Sequence, residues 1–354
     1  MMLNVETVER HLAAARETGT PRRLLDVHAH PFEFFIDQPA YAADAACPGV
    51  YVAGGGSGYT RPEQGKLTLS DDGEFRLRDD VLRGWRIRML RQKYRCVGPK
   101  VFTDQMDLCG IEGVVLHPVL PPGDPGDEAM NRFTAIYGEG GRLLPSYCVP
   151  DAVASDAVAA VVRKAVSDHH IRAVKVHPNR SRIDLGSAAG VARVEAILAA
   201  CDSAALPLLV HGGRSMLLED SGSAAFATID KLARVDWGIS AHPVIIAHAG
   251  AFDCALPEAE SSVLPVAGRL LDRHANLWVD TSGLGFDLLR LVVGGLDRDR
   301  VLFGSDALYS SVWGQVALVM HAFETLGLQP QEEFDRIAGV NPARVFAEKR
   351  KAGP

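Results

Sequence analysis

No stretch of the chain reaches the roughly 18 uninterrupted apolar residues that a membrane-crossing helix needs, so no membrane span is expected. No long basic stretch is present either. The formal net charge is −7 and the pI is about 5.9, so the electrostatic footprint of a nucleic-acid binder is missing. The six cysteines (Cys47, Cys96, Cys109, Cys148, Cys201 and Cys254) are scattered with no CxxC pair. Reduced, structural thiols in a cytoplasmic protein are the expectation. The N-terminus lacks an apolar run after a basic start. Glu6, Glu9 and Glu17 interrupt it, and residues 4–18 read as an amphipathic helix rather than a signal peptide. No Gly-rich dinucleotide turn follows the first strand candidate. The run Gly54-Gly55-Gly56-Ser57-Gly58 lacks the Gly-Lys-Ser/Thr and the preceding strand of a phosphate cradle, so it reads as a flexible loop.

What the chain does have is a repeated pattern. Six short apolar runs each end in a histidine or an aspartate: Leu24–His28, Gly113–His117, Ala173–His177, Pro207–His211, Val244–His248 and Val301–Asp306. A further run, Leu277–Asp280, also ends in Asp. Apolar runs of this length, bounded by turn signals, read as buried parallel strands. With residues 143–149 they give eight strand candidates, near 24–28, 113–117, 143–149, 173–177, 207–211, 244–248, 277–280 and 301–305. Helical patterns are expected over 152–169, 188–203, 223–236, 262–273 and 312–326. Eight βα units predict an α/β (β/α)8 barrel. At 354 residues, one barrel domain with an insertion is the expected organisation. The insertion spans about 31–109, includes a helix expected at Asp79–Tyr94, and reads as a lid or a partner surface over the barrel mouth. From Gln331 the chain is expected to form one or two closing helices, the last starting at Asn341-Pro342.

Polar groups at the C-terminal ends of barrel strands build an active site. In His28-Ala29-His30 the two histidines lie at i and i+2, so both imidazoles can face one side and hold one ion. Asp26 shares that parity and could orient or support them. A catalytic zinc wants about three protein ligands and a site left for water. His28, His30, His211 and Asp306 are expected to converge at the barrel mouth for that purpose. Against this stands the reading of satisfied core histidines plus a capping aspartate. His248 is left for proton transfer, because an imidazole titrating near ~6.5 suits that work. A further ligand or an orienting group is its alternative.

Lys175 could be carboxylated between two metals, could bind a substrate carboxylate, or could pair with an aspartate inside the barrel. His177 shares its face and is read as a substrate contact. His117 either lines the pocket or is structural. Arg180 and Arg214 closely follow strands four and five. They could bind an anionic substrate, since Arg matches carboxylate geometry, or could be solvated loop residues. Asp280 reads as hydrogen-bonding support.

Four segments together resemble the amidohydrolase superfamily: Asp26-Val27-His28-Ala29-His30, Leu209-Val210-His211-Gly212, Ile246-Ala247-His248-Ala249-Gly250 and Phe303-Gly304-Ser305-Asp306. The branch is the one that includes aminocarboxymuconate semialdehyde decarboxylase. Asn131–Pro150 and Ala173–Pro178 are similar to their counterparts there, and the likeness spans roughly residues 24–346. It implies one divalent metal ion, usually Zn2+ with Mn2+ or Fe2+ as alternatives, held by His28, His30, His211 and Asp306. It also implies an acid/base role for His248 and Asp306. Three functions follow as expectations. In the first, a metal-activated water hydrolyses an amide, lactam, lactone or related bond of a small molecule. The second is non-oxidative decarboxylation of an aromatic or unsaturated acid, and the third is a non-catalytic binding barrel. A homodimer is the expected assembly.

Overall fold

The computed structural model describes residue 3 and residues 5–17, 23–31, 99–120, 123, 141–215, 222–307 and 310–346. The glycine run, the helix expected at Asp79–Tyr94 and most of the 31–109 insertion lie outside the described residues. So do residues 131–140 of the Asn131–Pro150 segment.

Eight parallel strands follow one another in sequence order around a single sheet: β1 Leu25–Ala29, β2 Gly113–Leu116, β3 Leu143–Cys148, β4 Ala173–Val176, β5 Leu208–Val210, β6 Val244–Ile246, β7 Leu277–Asp280 and β8 Val301–Leu302. All eight fall where the apolar runs place them. The ends meet: the Val27 N–H donates to the Phe303 carbonyl at 3.0 Å, the Asp306 N–H donates to the His28 carbonyl at 2.8 Å, and Ala29 bridges Ala307. The sheet is therefore the (β/α)8 barrel that the strand count predicts.

The amphipathic helix expected before the first strand is α1 Val5–Glu17, and those expected between later strands are α3 Val158–His169, α4 Ala188–Ala204, α5 Ile229–Leu232, α6 Leu264–Arg273 and α8 Val312–Thr325, while α2 Pro99–Cys109 and α7 Phe286–Gly295 are helices that the sequence patterns do not single out. The closing helices are α9 Pro330–Asp335 and α10 Asn341–Val345. The Ser187 and Ser311 hydroxyls cap α4 and α8 by accepting from the Gly190 and Gly314 N–H groups, each satisfying an orphan donor of the first turn. Asn341 ties α10 to the barrel by donating from Nδ2 to the carbonyls of Arg298 and Val301, each at 2.7 Å.

One expected helix is much shorter. The segment 223–236 forms only the single turn α5, because its first half pairs with the loop after β5. The Gly213 N–H donates to Ala227 O at 2.8 Å and the Ser215 N–H to Ala224 O at 2.9 Å.

Apolar side chains divide into two layers. Leu25, Val27, Val115, Ala173, Leu209, Ile245, Trp278 and Leu302 form a buried cluster inside the barrel, to which α10 adds Val345. A larger cluster lies between sheet and helices. On four strands the residue two places after the inner apolar one is polar: His117, Lys175, His211 and Asp280. Period-two alternation thus puts a polar ring above an apolar floor. In β1 the pairing register with β2 shifts between Asp26 and Ala29. Such an irregularity re-aims side chains at a barrel rim. Leu25 and Val27 join the floor while His28 and His30 face the polar ring. Asp26 instead braces the closing seam, accepting from the His28 N–H at 3.1 Å, the Ser305 N–H at 3.0 Å and the Ser305 hydroxyl at 2.5 Å. Burial raises its pKa to about 7.

His11 on α1 lies buried against α8, beside His321, Glu324 and Arg10. Burial, with Arg10 and His321 adding to it against Glu324, lowers its pKa from 6.5 to about 4. The unfolded chain therefore takes this proton first. Stability from this residue is complete above pH 6.5 and is lost as pH falls from 6.5 towards 4. His11→Leu is expected to flatten that part of the stability profile, read as thermal midpoints at pH 7 and pH 5.

Candidate metal centre at the barrel mouth

His28, His30 and Asp306 bring one ligand atom each to a common point, and all three are buried. The Nε2 atoms of His28 and His30 are 3.1 Å apart. Asp306 Oδ1 is 3.1 Å from His30 Nε2 and 3.8 Å from His28 Nε2. The hydrogen-bond partner on the far side of each ring fixes its tautomer. His28 Nδ1–H donates to Asp280 Oδ2 at 2.9 Å, and His30 Nδ1–H donates to the His117 carbonyl at 2.8 Å. Both Nε2 lone pairs therefore face each other and a carboxylate oxygen.

Metal–ligand bonds of about 2.0–2.1 Å in tetrahedral array place donor atoms about 3.3–3.4 Å apart. The observed spacings bracket that value, and an acceptor held behind a ligating histidine is the usual support for such a site. The residues present fit a divalent ion.

The backbone bends to make this arrangement. Asp306 lies just past β8 with φ +57°, which turns its carboxylate back over the mouth. β8 ends at Leu302, short of the expected 305, where the Phe303 N–H turns to the Ile337 carbonyl at 2.9 Å. Gly304 has no room for a side chain, since a Cβ there would meet the Cβ atoms of His28 and Ser282 at 2.9 Å. A Cβ at Gly283 would lie 2.6 Å from Asp306 Oδ2.

His248, past β6, also has φ +57°, and its buried ring lies 5.1 Å from that of His28 between centroids. Its N–H donates to Asp280 Oδ1 at 2.7 Å, and its Nδ1–H donates to the Ser282 carbonyl at 2.7 Å. Burial lowers its pKa, although Asp306 and Asp280 oppose that, so the ring is neutral with an Nε2 lone pair to offer.

Lys175 is fully buried, and its Nζ donates to His28 Nε2 at 3.1 Å. Its direct partner is thus a histidine rather than an aspartate. Burial lowers its pKa to about 8, opposed by Asp280 and Asp306.

His211 stands beside this group. Its Nε2–H donates to the Arg214 carbonyl at 3.2 Å, and its ring stacks on His177 at 4.0 Å and 8°. The ring of His248 meets it edge-on at 5.0 Å. His177 Nδ1 accepts the Arg180 N–H at 3.2 Å. His117 has both ring nitrogens engaged by protein, Nε2 with Val27 O at 2.9 Å and Nδ1 with the Ser146 hydroxyl at 2.8 Å, so it braces β1 against β3.

The two arginines differ. Arg214 forms a two-pronged ion pair with Glu258, at 2.9 and 2.6 Å. The buried Nε of Arg180 has no hydrogen-bond partner among the described residues.

Two contributors have only faint sequence signals. Ser282 lies within hydrogen-bond distance of His28 Nδ1 at 2.8 Å and His248 Nδ1 at 2.9 Å, and its hydroxyl donates to Asp280 Oδ1 at 2.5 Å. Its one cue is that it follows Asp280 at a strand end. Phe252 packs its ring 4.4 Å from His248 and 5.3 Å from His211, and nothing in its local sequence marks it.

A parallel eight-stranded barrel with paired imidazoles and a carboxylate at its C-terminal rim defines the class of metal-dependent barrel enzymes. Residues 25–347 match the Amidohydro_2 family, amidohydrolase, and the chain belongs to that family of enzymes. The family binds a divalent metal ion. No curated protein sequence matches the chain. Among solved structures, the fold is similar to 5-carboxyvanillate decarboxylase LigW from Sphingomonas paucimobilis (12% identity, TM-score 0.56, covering 92% of this chain and 98% of that one). It is similar to the IDCase of Metarhizium anisopliae (16% identity, TM-score 0.55, 94% and 98%). It also resembles a zinc-bound amidohydrolase from Burkholderia multivorans (14% identity, TM-score 0.52, 76% and 95%). Among the described residues, no helix is long and apolar enough to cross a membrane.

Proposed function

We propose that the chain is a hydrolase that uses one divalent ion, zinc by its imidazole-rich donor set, on a small molecule carrying an anionic group. The observation that carries this reading is the adjacency of two kinds of group. Lone pairs from His28, His30 and Asp306 meet at one point, and the neutral His248 imidazole lies next to them. A bound ion supplies Lewis-acid chemistry, polarising a carbonyl and lowering the pKa of water. His248 Nε2 takes the proton that the attacking water gives up and returns it to the leaving group. Asp306 supplies the carboxylate corner beside His30 Nε2 and is the alternative acceptor for that same proton. His211 is the candidate fourth ligand, reached by turning from the Arg214 carbonyl. His177 packs behind it and fixes its ring plane. Lys175, next to His28 and at a lowered pKa, orients substrate oxygen. Buried thiols at Cys109, Cys148, Cys201 and Cys254 accord with a cytoplasmic setting.

Arg180 receives the anionic group. Losing one charge-assisted hydrogen bond is worth about 1.5–3 kcal/mol, so Arg180→Gln is expected to lower kcat/KM about 10- to 100-fold for a carboxylate-bearing substrate. Arg214→Gln, already paired with Glu258, is expected to change it far less. Steady-state kinetics on the two variants checks this.

Decarboxylation is the second reading, and Arg180 favours it, because a carboxylate held by a guanidinium whose Nε has no partner among the described residues is the group such a reaction removes. The same barrel carries that chemistry in 5-carboxyvanillate decarboxylase. Product analysis in 18O-labelled water separates the two. Label in the product without CO2 supports hydrolysis, and CO2 release without net water uptake overturns it in favour of decarboxylation.

A further inference from the structure

Among the described residues, a second convergence of metal-binding side chains lies on the outer helical layer, away from the barrel mouth. It joins His11 of α1 to His321 and Glu324 of α8. His11 Nε2 is 3.4 Å from His321 Nδ1 and 3.4 Å from Glu324 Oε2, and His321 Nδ1 is 3.1 Å from the same oxygen. We propose that these three residues form a second divalent-cation site, taking zinc or a similar transition ion, that fastens α1 to α8. The proposal does not depend on the reaction performed at the mouth.

Three features point to a cation rather than to hydrogen bonds alone. The first is proton count. The three atoms form a closed triangle of contacts. Each neutral ring places at most one proton on its facing nitrogen, and the carboxylate places none. Two such protons on adjacent corners repel each other, and one leaves an edge of two bare acceptors. A cation at the centre satisfies all three corners. The second is spacing. The 3.1–3.4 Å edges match the donor separation of about 3.3–3.4 Å that tetrahedral bonds of about 2.0–2.1 Å require.

The third is the surroundings. His11 is 1% exposed, so its ring is held in place by the packing of α1 against α8. His321 is packed against the Phe286 ring at 5.4 Å. Arg10 binds Glu324 mainly through Oε1 at 2.8 Å, which holds the carboxylate in place while Oε2 faces the two rings. Arg10 Nη2 also reaches Oε2 at 3.1 Å, but its side chain is half exposed and can retain the Oε1 contact alone. His321 and Glu324 are 20% and 38% exposed at the side chain, which leaves a fourth position for water.

The test is zinc stoichiometry on the full chain, stripped with chelator and then dialysed against Zn2+. The wild type is expected to keep two equivalents. His321→Ala and Glu324→Gln are each expected to keep one, with activity unchanged, while Asp306→Asn loses the other. In the Asp306→Asn background, zinc is expected to raise the unfolding midpoint by several degrees, and adding His321→Ala is expected to abolish that rise. Both surface variants change partly exposed side chains, so the fold survives them. One equivalent in the wild type, or two retained in both His321→Ala and Glu324→Gln, overturns the proposal.

Discussion

Changing His248 to asparagine is expected to lower kcat by about 10²- to 10⁴-fold, the span that a positioned general acid–base group contributes. Asparagine is the informative substitution because it tolerates the left-handed backbone that His248 adopts at φ +57°. The N–H bond to Asp280 is made by the main chain and survives the change. The variant is therefore expected to fold and to keep its metal content while losing turnover. Asp306→Asn gives the opposite pattern, because it removes a charged ligand: metal content and turnover fall together. Metal analysis beside steady-state kinetics distinguishes the pair. If His248→Asn retains wild-type turnover, His248 is not the proton-transfer group.

The second large effect is expected at Asp280. Its carboxylate accepts from four buried donors: His28 Nδ1–H, the His248 N–H, the Ser282 N–H and the Ser282 hydroxyl. A buried donor left without a partner costs about 1–3 kcal/mol. Some relief comes from water entering the gap and from rotation of the Ser282 hydroxyl, so Asp280→Ala is expected to cost about 3–5 kcal/mol. Denaturant titration measures this directly.

Asp280→Asn is milder for stability and more specific for the site. It keeps Oδ1 as an acceptor but presents an amide N–H to His28 Nδ1. The ring must then move its proton to Nε2, the atom that faces His30. Metal affinity is expected to drop by about 10- to 100-fold, as it does when other groups behind metal ligands are changed. A midpoint near wild type together with that loss would identify Asp280 as an orienting group.

These two residues show what was legible in the chain and what was not. Each strand announces itself as an apolar run ending in a polar residue, because a parallel barrel strand is buried on both faces and only its C-terminal end meets the mouth. His28, His248 and Asp306 could be read from that rule, and His30 from its i, i+2 spacing to His28. The register shift in β1 could not, since alternation counted along the chain puts Asp26 with His28, whereas the irregular pairing sends it to the seam with Ser305. Arg180 and Arg214 look alike in sequence, each a few residues past a strand. Only folding brings Glu258, 44 residues on, against one of them. The importance of Ser282 was likewise hidden, because a serine after a strand usually signals nothing more than a turn. The orientation of His211 depends on the carbonyl of a loop residue, and no pattern encodes that.

The closing seam carries a consequence for how the chain reaches its working form. His28 and His30 come from the first strand and Asp306 from just beyond the last, and the hydrogen bonds that join them span the whole barrel in sequence. Contacts so distant along the chain are made late, after the loop-closure entropy has been met by everything between. On the proposed ligand set, a nascent chain lacking its final strand has the imidazoles but not the carboxylate, so competence to capture the ion is expected to arrive together with completion of the cylinder, leaving half-built molecules chemically silent.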